Sequence, residues 1–242
     1  MNYLGPDYLP AYVLSGSVAI VVSVLLGVHR GLKAAGWPNR DRRRALGSMA
    51  ALLIAWLLAA LVPSWLGFYR GTPSRIPTIQ YGILIPIVVG IVLFRWWRML
   101  RRVIEGVPQE WIVGVQLYRV LGLIFLVLYA THWLPGVFAW PAGAGDILVG
   151  LLAPVVGIAY AHRSRAATGW LRAWNLFGIG DLIVAVATGF LTSPSRVQTL
   201  AFNKPNELIS AFPLVMIPVF LVPLSVLLHL ASLKKLRESE TQ

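Results

Sequence analysis

Apolar positions in this chain come in long, nearly unbroken runs. They follow neither the spaced stripe of a surface helix nor the alternation of a half-buried strand. Seven runs approach or exceed the roughly 20 residues that a helix needs to cross a hydrocarbon layer of about 30 Å. They extend roughly over Tyr8–Val28, Ala45–Phe68, Ile79–Trp97, Trp111–Trp133, Val137–Ala161, Leu171–Leu191 and Glu207–Leu233. The segments between them are short and rich in Arg, Gly and Pro. The pattern predicts an all-α, polytopic integral membrane protein: one domain of seven transmembrane helices over residues 1–242, with no soluble domain.

Composition points to the same solvent. The chain is 57% hydrophobic and 12% charged, with a mean hydropathy of +0.72, whereas soluble domains carry about 25% charged residues. The net charge of +12 would suggest nucleic acid as the partner of a soluble protein. Here it is better read as the Lys and Arg excess that membrane proteins keep on their cytoplasmic side, and no nucleic acid is expected. Sixteen basic residues fall on one side of the predicted bundle: Arg30, Lys33, Arg40, Arg42, Arg43, Arg44, Arg95, Arg98, Arg101, Arg102, Arg163, Arg165, Arg172, Lys234, Lys235 and Arg237. The other side has Arg70, Arg75, Arg196 and Lys204. This predicts an external N-terminus and a cytoplasmic C-terminus in the plasma or inner membrane. The opening residues, MNYLGPDYLP, lack the basic start of a cleaved signal peptide and are expected to form a short external tail. Trp37, Trp65, Trp96, Trp97, Trp111, Trp133, Trp140, Trp170 and Trp174 fall near span ends, as in an aromatic belt. The basic stretch 32–44 sets topology, and anionic lipid headgroups are its second reading.

Several chemistries are excluded. Cysteine is absent, so there are no disulfides, thiolate metal sites or thiol nucleophiles. There is no P-loop, dinucleotide fingerprint or nucleophile elbow, and no cofactor is expected. A retinal Schiff base needs a lysine in the last span, which has none before Lys234. His29, His132, His162 and His229 all fall near span ends, which argues against haem ligation.

What remains is the polarity inside the spans, where ionisable residues are costly and by default functional candidates. Arg119 is in span four, Asp146 in span five and Asp181 in span six. The aspartates close two similar stretches, Gly143-Ala-Gly-Asp146 and Gly178-Ile-Gly-Asp181, whose glycines suit close helix packing. At 1.5 Å per residue, Arg119 and Asp181 lie at similar depth, about 10–15 Å from the basic side. They are expected to form a buried ion pair, with Gln116 on the Arg119 face. Asp146 enters from the opposite side. It is expected to be unpaired and to serve as a proton or ligand site, with His132 and Glu207 as neighbours; the alternative is that Arg119 bridges both aspartates. Pro213, Pro218 and Pro223 predict a jointed seventh span.

Three functions follow. The leading one is a small-molecule or proton-coupled transporter with an intramembrane carboxylate site. The second is a non-catalytic accessory or assembly subunit whose polar residues only tie helices together. The third is a membrane-embedded metal-dependent enzyme using His132, Asp146 and Glu207. Expected partners are the lipid bilayer, a small polar ligand or proton, and a protein partner or second copy of the chain.

Overall fold

The computed structural model describes residues 5–162 and 166–240. Met1–Leu4 of the expected external tail, and the basic residues Arg163 and Arg165, lie outside the described residues. Seven helices are long and apolar enough to span a membrane: Leu9–Ala34, Asn39–Trp65, Ile79–Trp96, Gln109–Ala130, Gly136–Ala161, Ala167–Thr192 and Ile217–Ser239. No strand occurs among the described residues. The protein is thus an all-helical, multi-pass membrane protein.

Helix and apolar run do not end together. Span one continues to Ala34 and span two begins at Asn39, joined by a turn at 35–38. Arg40, Arg42, Arg43 and Arg44 therefore stand on the first turns of a helix rather than in a loop. An apolar run measures the length in lipid, whereas Arg, Lys and Leu are all good helix formers that carry the helix past it. Between spans three and four the chain is also helical. Residues Arg98–Gly106 form a strongly amphipathic surface helix, with Leu100 and Val103 buried and Arg98 and Arg102 exposed.

Span seven departs most from expectation. Residues 193–216 fold as an irregular segment against the spans, with Asn206 buried and bonded to Thr192. The membrane-crossing helix starts about ten residues later than the apolar run suggests, at Ile217. Pro213 precedes it, Pro218 lies in a π-helical turn over Ile217–Leu221, and Pro223 sits at the start of the regular helix Val222–Glu240. The predicted joint thus lies at the entrance of the helix. Pro218 and Pro223 lack an N–H, so two i→i−4 bonds are missing from the first turns, although Val219 still donates to the Val215 carbonyl at 3.1 Å.

The seventh span is the axis of the bundle. Its apolar window is 67% buried, against 22% for spans two and three. Phe220 packs edge-on against Trp56 at 5.1 Å. Contacts between connections group them at two ends. Gln109 bonds Ser232, and Lys235 bonds the carbonyls of Ile104 and Glu105. At the other end Gly71 bonds Ser210, and Arg196 bonds Ser74. We call these the basic end and the far end.

The cysteine-free sequence makes sidedness measurable. Ser74→Cys, at the far end, should react with a membrane-impermeant maleimide in intact cells. Ser239→Cys should react only after permeabilisation. Labelling of both from outside would overturn the odd number of crossings.

Candidate functional site

Span four is not uniformly α-helical. Between regular turns at Gln109–Gly114 and Leu123–Ala130, residues Val115–Gly122 wind as a 3₁₀ helix. With three residues per turn, side chains three apart eclipse one another. Gln116, Arg119 and Gly122 are the buried residues of this segment and form a single column facing the bundle.

Arg119 is the centre of the site, and its side chain is 1% exposed. Its Nε donates to Asp146 Oδ1 at 2.7 Å. Its Nη2 donates to Asp181 Oδ2. Its Nη1 faces the Gly178 carbonyl at 3.2 Å and His229 Nε2 at 3.3 Å. The expected Arg119–Asp181 pair is present. The expectation that Asp146 has no cation is corrected: Arg119 bridges both aspartates. Counting depth along ideal helices hid this. The 3₁₀ turns rise about 2.0 Å per residue, which lifts Arg119 by about 2 Å over five residues, and the long side chain covers the remaining gap.

The doubled Gly-x-Gly-Asp stretch has unequal parts. A methyl group on Gly145 would overlap the Asp181 carboxylate, and one on Gly178 would overlap the His229 ring. One on Gly180 would meet nothing within 4 Å. Gly145 and Gly178 thus admit side chains from neighbouring spans, while Gly180 shares the motif without that task.

His229 stands elsewhere than at a wet span end. It is fully buried, its ring 4.8 Å from that of Trp174. Asn175 Nδ2 donates to the Leu171 carbonyl at 2.8 Å and to Ser232 Oγ at 2.9 Å, which leaves its Oδ1 as the acceptor for His229 Nδ1 at 2.9 Å. That network assigns the proton to Nδ1 and leaves the Nε2 lone pair for Arg119. Gln109 Nε2 closes the chain on Ser232 at 2.7 Å. Polar contacts therefore run from the two aspartates through Arg119, His229, Asn175 and Ser232 to Gln109 at the basic end. Tyr118 joins span seven through Ser225 at 2.5 Å. Trp174 is likewise not an interfacial anchor: it is 4% exposed and its N–H donates to the Val149 carbonyl.

The role of His229 and the contributions of Ser225, Ser232 and Gln109 are missed by sequence reasoning. A signal was available: Ser225, His229 and Ser232 are spaced four and three apart, one stripe of a helix. Gln116 lies one turn from Arg119 as expected and is fully buried, but neither of its amide atoms has a partner among the described residues.

His132 and Glu207 do not join this cluster. Both are exposed. His132 closes the turn after span four with φ 62°, a left-handed conformation in which His is enriched. Glu207 opens the short turn Leu208–Ser210. Among the described residues no three His, Asp or Glu side chains gather as a metal-ligand group. The outward metal site of His132, Asp146 and Glu207 is thus a correction, because two of its members are held at the surface by turns.

Asp146 is the most accessible member of the charged trio, at 15% against 8% for Asp181. It lines a cavity of about 50 Å³ that is also bordered by Tyr69, Gly71, Ser193 and Ser210 of the far end, and by Ile217, Pro218 and Val222 of span seven.

The chain matches the family model of a domain of unknown function, DUF8737, over residues 76–237, and it belongs to that family. The match takes in nearly all of spans three to seven, including every residue of the charged network. No curated protein and no solved structure matches it.

Removing one partner from a buried charge cluster costs more than removing the cluster. Arg119→Met should lower stability by about 3–5 kcal/mol in thermal melts in detergent, and Arg119→Met with Asp146→Asn and Asp181→Asn should recover much of that. Gly145→Ala should cost about 1–3 kcal/mol through overpacking. Gly180→Ala should be neutral or stabilise slightly.

Proposed function

We propose that this member of the DUF8737 family is a proton-coupled membrane transporter of the cell membrane, with Asp146 as the proton-binding carboxylate. The observation that carries this reading is a charge imbalance. Two carboxylates share one guanidinium, which leaves one uncompensated negative charge at a site buried on nearly all sides. A single proton removes it. Asp146 is the natural acceptor because it alone of the three lines the cavity from the far end.

Size decides between a proton and an organic ligand in this conformation. Sites for organic ligands occupy about 300–1,000 Å³. A cavity of about 50 Å³ holds roughly three to five waters at 10–15 Å³ each. It therefore suits water and protons, and a larger substrate would need the walls to part. The wall most suited to part is the start of span seven, where Ile217, Pro218 and Val222 border the cavity within or beside the π-helical turn. π-turns recur at functional sites, and a proline-broken start lacks part of the hydrogen-bond ladder that resists bending. Neutralising Asp146 would loosen its bond to Arg119 Nε and so couple proton uptake to helix packing.

The accessory-subunit reading is favoured by one observation. Arg119 already has acceptors at Nε, Nη1 and Nη2. A guanidinium so fully engaged also suits a permanent tie between spans four, five and six.

Infrared difference spectra of the reconstituted protein between high and low pH separate the two. Proton uptake should produce a carboxylic-acid C=O band at low pH that Asp146→Asn removes, and whose frequency the charge-conserving Asp146→Glu shifts while Asp181→Glu does not. No such band, or one that Asp146→Asn leaves unchanged, would leave the static tie as the reading.

A further inference from the structure

A second cavity, about nine times larger, lies toward the basic end. It measures about 470 Å³ and is walled by spans one, two, three and seven, the surface helix Arg98–Gly106 and the start of span four. Its lining is almost wholly apolar. Met49, Trp56 and Ala59 mark its course along span two, and Leu100 and Val103 of the surface helix form its floor. From Met49 to Ala59 the wall rises about 15 Å at 1.5 Å per residue. That is half of a hydrocarbon layer about 30 Å thick, the depth of one leaflet. The volume falls in the range of sites for organic ligands.

The rim has a different chemistry. Arg98 and Arg102 stand exposed on the polar side of the helix whose apolar side forms the floor, with Arg101 half-buried beside them. Arg30 lies over the ring of Trp111, itself a lining residue, at 5.7 Å. Arg102 lies over Trp37 at 5.1 Å. Glu105 is the one acid on the surface helix. An apolar slot one leaflet deep, with arginines on the outward side of the helix that forms its floor, matches both halves of an anionic phospholipid. Basic pockets between spans bind the headgroups of anionic lipids.

We propose that this slot holds an acyl chain of an anionic phospholipid from the leaflet at the basic end, with the phosphate held by Arg30, Arg98 and Arg101. Span seven forms one wall of the slot through Leu224, Leu227, Leu228 and Ala231, so the lipid packs against the helix that also carries His229. The site is independent of the charge state of Asp146.

Native mass spectrometry after extraction from vesicles of equal phosphatidylglycerol and phosphatidylcholine, with identical acyl chains, tests it. The protein should retain one phosphatidylglycerol per chain, in about tenfold or greater preference. Arg98→Gln with Arg101→Gln should reduce that preference about tenfold while lipid is still retained. Ala55→Trp, at an exposed lining position, should fill the slot and abolish retention of both lipids. Val89→Trp on the opposite wall should do the same, with unchanged thermal melts of either variant as the folding control. Equal retention of the two lipids by the unmodified protein, or retention undiminished in a folded Ala55→Trp or Val89→Trp, would overturn the proposal.

Discussion

A guanidinium held in a hydrocarbon layer costs at least about 2.5–3.5 kcal/mol unless its surroundings compensate, and its N–H groups have no water to fall back on. Arg119 meets this constraint by drawing on three other spans at once. Span five supplies Asp146, span six supplies Asp181 and the Gly178 carbonyl, and span seven supplies His229. Each partner then imposes its own requirement. Asp181 needs Gly145 to stay a glycine, His229 needs Gly178, and the His229 tautomer needs Asn175, whose orientation needs Leu171 and Ser232. The packing of spans four to seven follows from one cation.

The seventh span unites the parts that this cation does not reach directly. Its entrance, at Ile217, Pro218 and Val222, borders the small cavity above Asp146. A stripe of Ser225, His229 and Ser232 faces the polar network. Its remaining surface, from Leu224 to Ala231, walls the apolar slot. One helix thus borders the small cavity, the buried charge network and the apolar slot on different faces. That explains why it is the most buried span although its mean hydropathy of 1.8 lies within the range of 1.6–2.3 of the other six.

The sequence carries the seven spans plainly because lipid demands long apolar runs, and a run of 20 such residues has few other readings. Arg119, Asp146 and Asp181 were equally legible, since charge stands out against such a background. Their mutual arrangement was not. Depth counted on ideal helices separated Asp146 from Arg119 by more than the true gap, because local winding alters rise. The apolar run of span seven ends at Leu233 while its helix continues to Glu240, so distance from the end of the run understates the depth of His229. The surface helix Arg98–Gly106 escaped notice because its apolar residues number too few to register as a span, while its arginines read as a topological signal.

The tightly wound segment of span four sets a length as well as a direction. Eight residues at about 2.0 Å extend some 4 Å further than eight at 1.5 Å. This span of 22 residues therefore reaches about 37 Å instead of about 33 Å, more than its residue count implies. Relaxation to ordinary α geometry would shorten it by that same 4 Å and turn Gln116 and Gly122 about 60° to either side of Arg119. Hydrophobic mismatch acts on just this scale, since membranes differ in thickness by a few ångströms. Bilayer thickness and the alignment of the charged face are thereby tied to a single coordinate of the chain.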